Sequence, residues 1–373
     1  MDVLRERMDA SPLDIVIFAP LAPICGVILF WFIQLLFIES QKYLLSKIRA
    51  RHEPLCRFTN FLGIFFQTIC HALGYTVTKS GIASFYLSVD YGKVSPKKEK
   101  KGVFEWVSNT FLFVGPFFLP ASFLMILLYL FAPQSFIITF ATQEPGFYTF
   151  ANQMITFGSN LYTFSEGFFG FLFTMDLFHP GHVGFLLILI FLGMGIRPSY
   201  IAEKKVEKVD MMYDLSNIKN HLMEKPHYMV LLFLFCYMFF YVSLALNNDW
   251  YVRIFSGLGW LSIIAIVSLL ITHALLLLVK ATDPLPGFRR WLPFLMLPMS
   301  YAALRGIFFI FPTDSSYSLS LLGMILLTLL VVLLLRRQPA EKETNRFKTG
   351  IDMKSLRKLT EGDTNGPRRI IRK

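Results

Sequence analysis

The chain has 373 residues, 54% hydrophobic and only 16% charged, with a formal net charge of +11; soluble domains carry about 25% charged residues. This composition excludes an ordinary soluble domain and marks an integral, multi-pass membrane protein whose first partner is the lipid bilayer. Nucleic acid is not implied by the positive charge, because the basic residues lie in blocks between apolar stretches and act first as a topology signal.

In chain order, Met1 to Asp14 mixes Arg5, Arg7 and acids. The apolar run behind it is longer than a signal-peptide core, so no cleavable signal is expected and 15–38 reads as the first membrane helix. Residues 39–57 are basic, with Lys42, Lys47, Arg49, Arg51 and Arg57. Residues 58–78 are long enough to span but carry polar side chains, and 79–101 holds six lysines. Within the latter, 82–94 alternates in part and is rich in aromatic and β-branched residues, which predicts a strand or hairpin at the membrane surface.

Residues 107–131 form a second long apolar stretch, and Gly102 to Ile196 contains no Lys or Arg. The aromatic, glycine-punctuated 144–178 suits a re-entrant or interfacial helix. Further apolar stretches at 181–196, 228–248, 254–279 and 316–335, with a more polar one at 291–312, mostly reach the roughly 17–25 residues of a spanning helix. The tail 336–373 carries twelve Lys and Arg against five acids and is expected to be disordered and cytoplasmic. The four cysteines, Cys25, Cys56, Cys70 and Cys236, show neither a disulfide framework nor metal spacing.

Counting back from a cytoplasmic tail gives eight helices with both termini inside and 1–335 as the transmembrane domain. The basic blocks 39–57 and 79–101 conflict with this count, since one candidate span separates them. Seven crossings, with 58–78 dipping into the membrane, is the alternative.

His71-Ala-Leu-Gly-Tyr75 lies inside 58–78. A working H-E-x-x-H helix needs two imidazoles at i, i+4 aimed at one metal and a glutamate to deprotonate the bound water. Here Ala72 has no proton acceptor and Tyr75 is a poor zinc ligand. With Gly81, the strand-like 82–94 and Gly115-Pro116 following in order, the segment resembles the site-2 protease family of intramembrane zinc metalloproteases, in degenerate form. The resemblance implies a core over about 58–196, additional helices over 228–335 and a β-hairpin at the cytoplasmic face. His71, Ala72, Gly74, Tyr75, Gly115 and Pro116 would be a vestigial motif. Leu119 stands where the family has an asparagine, and the L-D-G motif is missing.

The overall expectation is an all-α polytopic membrane protein with a small hairpin and no catalytic residues. It is expected to need no cofactor; His71, Asp176, His179 and His182 are weak zinc candidates. On this reading it is a pseudoprotease that binds a membrane client, a partner subunit or lipid. The competing readings are a transporter or channel built on the intramembrane Arg305 and His273, and a structural subunit of a membrane complex.

Overall fold

The computed structural model describes residues 13–89, 91–131, 149–196 and 211–337. The first twelve residues, position 90, the segments 132–148 and 197–210 and the basic tail beyond Arg337 lie outside the described residues, and with them the expectation of a disordered tail. The described chain is mostly helical, with one two-stranded antiparallel sheet.

A short π-turn (Asp14–Phe18) leads into α1 (Leu21–Ile48). Next come α2 (Glu53–Val77), the hairpin β1 (Ile82–Leu87) and β2 (Gly92–Pro96), and α3 (Val103–Phe131). The helices α4 (Phe150–Phe173), α5 (Pro180–Gly195) and α6 (Met211–Glu224) follow, then α7 (Pro226–Ala245) and α8 (Trp250–Thr282). A 3-10 turn (Gly287–Arg290) precedes α9 (Leu292–Ile310) and α10 (Ser316–Arg337). Six of the helices, α1, α3, α7, α8, α9 and α10, are long and apolar enough to cross a membrane, and α5 is a shorter apolar helix. This is a multi-pass membrane architecture. Its outward surface carries side chains such as Ile126, Leu231, Phe235, Ile307 and Leu333, all exposed, as hydrocarbon requires.

α8 is the central helix. Its small and hydroxylated residues let neighbours approach closely, the usual device where lipid removes the hydrophobic drive between helices. A Cβ on Gly193 of α5 would stand 2.5 Å from the Ser268 carbonyl. Thr272 donates to the Ile190 carbonyl at 3.2 Å. Asn160 of α4 donates to Ser256 at 3.0 Å, and Trp260 donates back to the Asn160 carbonyl at 3.1 Å. Each such bond between membrane helices is worth about 0.6–1.7 kcal/mol. Phe164 stacks on Trp260 with centroids 5.1 Å apart, joining this polar pair to the main core of Phe117, Leu124, Phe157, Phe168 and Leu189.

Two ends of the bundle can be told apart by their contacts. At one, Tyr251 donates to the Pro20 carbonyl, and Tyr237 donates to that of Ile17 at 2.7 Å. The starts of α1 and α8 and the end of α7 therefore meet there. At the other, Asp283 accepts from His52 at 2.6 Å and from Arg290 at 3.2 Å, while Arg51 donates to the Asp283 backbone at 2.9 Å. This knot ties the α1–α2 turn to the end of α8 and the start of α9. Arg336 reaches the Ala281 carbonyl, so α10 also ends at the Asp283 end.

Both ends of α2 lie at the Asp283 end. Its start carries His52, bonded to Asp283. Its far end is held by Thr78, whose hydroxyl is 3.2 Å from Ser108 near the start of α3. That start of α3 is tied in turn to the start of α7 through Lys225 and Glu105 at 3.0 Å.

By contrast, α4 lies across the opposite end. The Phe150 amide donates to Asp14, just before α1, and the Phe173 carbonyl accepts from Ser318, just inside α10. The aromatic 144–178 thus contains a 24-residue helix laid over α1 and α8, with Phe157, Phe164 and Phe168 buried beneath it. Its composition reads as a re-entrant or interfacial helix from the sequence; the bounds of that helix and its buried aromatic face emerge only in the fold.

Candidate site between α2, the hairpin and α3

The α2 segment starts with Pro54 in its first turn, where a missing N–H costs nothing. It ends in left-handed backbone at Lys79 (φ 54°) and Gly81 (φ 69°), and only Gly takes up such a φ without strain. Gly81 thereby turns the chain into β1. The strands pair antiparallel, with Phe85 opposite Val94, Tyr86 opposite Lys93 and Leu87 opposite Gly92. Gly92 faces Thr68 and Ile64 of α2 so closely that any Cβ there would overlap the Thr68 hydroxyl. The hairpin is therefore seated on α2 through a residue that must be glycine.

The α2–α3 contact uses the glycines singled out in the sequence. Gly74 abuts Ser108 and Phe111, and Gly115 abuts Cys70. The pairing is antiparallel, position 74 meeting 108 and position 70 meeting 115, with Thr78 bonded to Ser108 beyond. Pro116 lies inside α3 and offers no N–H to the Leu112 carbonyl, which therefore lacks its helical partner.

Between these elements is a half-open cavity of about 180 Å³ lined by Ile64, Gln67, Thr68, His71, Gly92, Val94 and Leu112. Gln67 and His71 are one helical turn apart and face it together, while Thr68 spends its hydroxyl proton on the Ile64 carbonyl at 2.6 Å. The Tyr75 ring sits 4.5 Å from the His71 ring, so the i, i+4 register of the motif is formed, with a phenol in the second position. The cavity offers an imidazole, an amide and the Thr68 hydroxyl oxygen among Ile64, Val94 and Leu112. Sequence reasoning singled out His71 and missed Gln67 and Leu112, whose role depends on the hairpin closing over them.

Asp176, His179 and His182 are elsewhere. They form the α4–α5 turn, in which the Asp176 amide donates to His182 Nδ1 at 3.0 Å and the Asp176 carboxylate accepts from the Phe178 amide at 3.0 Å and from Tyr301 at 3.2 Å. The His179 and His182 rings are 4.8 Å apart. This turn is tied to α9 and α10, whereas His71 lies against the hairpin and α3. A zinc ion would need ligands that converge. Among the described residues no three His, Cys, Asp or Glu side chains do so, and Ala72 and Tyr75 add no zinc-ligating partner to His71. The residues present do not fit the metal that the resemblance implies.

Arg305 is held at the α9–α10 turn. Its guanidinium lies 4.0 Å over the Tyr317 ring and donates to Ser316 at 3.3 Å. His273 sits on α8 with Nδ1 enclosed. Among the described residues no hydrogen bond joins the two into a polar path.

No family model, curated protein or solved structure matches this chain.

Proposed function

We propose that the chain is a seven-crossing membrane protein with a degenerate site-2-protease-like core that binds a membrane client, partner segment or lipid without cleaving it. The crossings are α1, α3, α5, α7, α8, α9 and α10. The helices α2 and α4 lie across opposite ends. This count is supported by charge, because 39–57, 79–101, 197–227, 280–290 and the tail then share the Asp283 end, which becomes the cytoplasmic side. The N-terminus falls on the other side, reversing the placement that eight helices would give. The conflict between the two basic blocks disappears, since α2 does not separate them.

The observation that carries the functional reading is the cavity under the hairpin. It holds His71 at the position of the family's first ligand, and Ala72 and Tyr75 leave it without a general base or a second imidazole. A water there has nothing to deprotonate it in the family's manner. What remains is a recess with three polar side chains, Gln67, Thr68 and His71, suited to an extended or unwound segment whose backbone needs hydrogen bonds at membrane depth.

Photo-cross-linking from positions 67 and 112 in membranes tests this. Client adducts at both positions, those from position 67 being abolished by Leu112→Trp, which fills the cavity, are the expected result. Stoichiometric zinc lost with His71→Ala, together with cleavage of a membrane substrate, would overturn it. A transporter reading predicts flux that depends on Arg305, and its cation–π contact at a helix turn gives that reading little support.

A further inference from the structure

The surface formed by the end of α2, the hairpin and the start of α3 carries charge and apolar area together. Lys79, Lys93, Lys97, Lys98 and Lys101 are exposed, and among the described residues none is within ion-pair distance of a carboxylate. Lys100 is already engaged, donating to the Thr78 carbonyl and lying 4.6 Å over the Phe104 ring. Of the acids nearby, Glu105 is taken by Lys225 at 3.0 Å. Against the six lysines of 79–101 the sequence sets only Asp90 and Glu99.

Exposed apolar side chains are interleaved with them. Val77, Ile82, Phe85 and Phe104 are between 41% and 59% exposed, and Tyr86, opposite Lys93 in the ladder, stacks on Tyr91 at 4.9 Å. A soluble face would not pair aromatic residues with unpaired lysines in this way. A membrane interface does: rings settle at headgroup level, and lysine stems lie along hydrocarbon while their ammonium groups reach phosphate.

We infer that this surface binds the anionic phospholipid headgroups of the leaflet at the Asp283 end, seating the hairpin on the membrane as a salt-sensitive electrostatic contact. The inference rests on the one-sided placement of α2 and does not depend on whether the cavity holds a client.

The test uses the full-length protein in nanodiscs of phosphatidylcholine alone or with about 30% phosphatidylglycerol. A fluorophore on Ser84→Cys, in a background with the native cysteines replaced, reports quenching by neutral acrylamide. Quenching is expected to fall at least about twofold with phosphatidylglycerol and to return at about 0.5 M salt. The protection should vanish when Lys93, Lys97, Lys98 and Lys101 are all changed to Gln, and persist when Lys354, Arg357, Lys358, Arg368 and Arg369 of the tail are. Should the hairpin variant fail to fold, the lipid and salt comparison on the unaltered lysines decides alone. Equal quenching in the two lipids, protection that survives a folded Lys→Gln variant, or equal protection by soluble polyglutamate in phosphatidylcholine would overturn the inference; the last would assign the surface to an acidic protein.

Discussion

Gly74 of α2 presses on the backbone of Ser108 in α3, where a Cβ would stand 2.8 Å from the Ser108 carbonyl oxygen. One turn away, Gly115 lies on Cys70 with the same 2.8 Å clearance to Sγ. Two helices that meet through glycines in both directions have no slack, and the cavity at their side inherits its dimensions from that contact.

Gly74→Ala must therefore displace backbone, and the cost is about 1–3 kcal/mol. Gly158→Ala, at a helical site where nothing lies within 4 Å, should be neutral or stabilising by up to about 1 kcal/mol. Thermal unfolding in one detergent compares them. Equal effects at the two positions would show that the α2–α3 approach is looser than described.

Gly92→Ala should lift the hairpin from α2, because the added methyl occupies the space of the Thr68 hydroxyl. Proteolysis at the hairpin tip is expected to accelerate severalfold. Thr68→Ala in the same chain should recover part of the loss, a coupling of about 0.5–3 kcal/mol between contacting residues. Additive effects would mean that the hairpin is seated elsewhere.

His221 anchors α6 to α3. It is stacked 5.7 Å from Trp106 and 5.2 Å from Phe113, and its Nε2 lies 3.2 Å from the Thr110 hydroxyl. Burial pushes its pKa below the ordinary 6.5, outweighing the opposing pull of the Trp106 carbonyl and of Glu105 and Glu224. The imidazole thus docks neutral, and undocking it takes up a proton. Its contribution is complete above pH 6.5 and is lost as pH falls through the depressed value. The protection of α6 amides against hydrogen exchange, normalised to the intrinsic exchange rate at each pH, should fall on acidification by no more than about tenfold per pH unit, as one proton allows. The variant His221→Phe should show a flatter profile. An unchanged profile in that variant would assign the pH response to another group.

Much of the fold was legible because hydrocarbon thickness and backbone hydrogen bonding allow few solutions. The six apolar helices follow from stretch length, and the hairpin follows from the β-branched and aromatic run before Pro96. Boundaries moved where helices outgrow hydrocarbon: α8 runs from Trp250 to Thr282, past both edges of the apolar 254–279. Less legible were the helices that lie across the bundle. For α2, length permits a crossing, and only His52 on Asp283 and Thr78 on Ser108 place both ends together. For α6, whose polar sequence gives no membrane signal, the anchor is a single histidine between aromatic rings. His71 was singled out from its spacing to Tyr75, whereas Gln67 and Leu112 join it in lining the cavity only because the hairpin closes on α2.

The central claim is that α2 begins and ends on one side of the membrane. With the native cysteines replaced, Ala50→Cys and Lys98→Cys flank α2, and Asp314→Cys reports the α9–α10 turn. Labelling these single-cysteine chains in sealed vesicles with a membrane-impermeant maleimide tests the claim most directly. The account predicts that positions 50 and 98 are labelled from the same face and position 314 from the opposite one. Labelling of positions 50 and 98 from opposite faces would make α2 a crossing helix and contradict it.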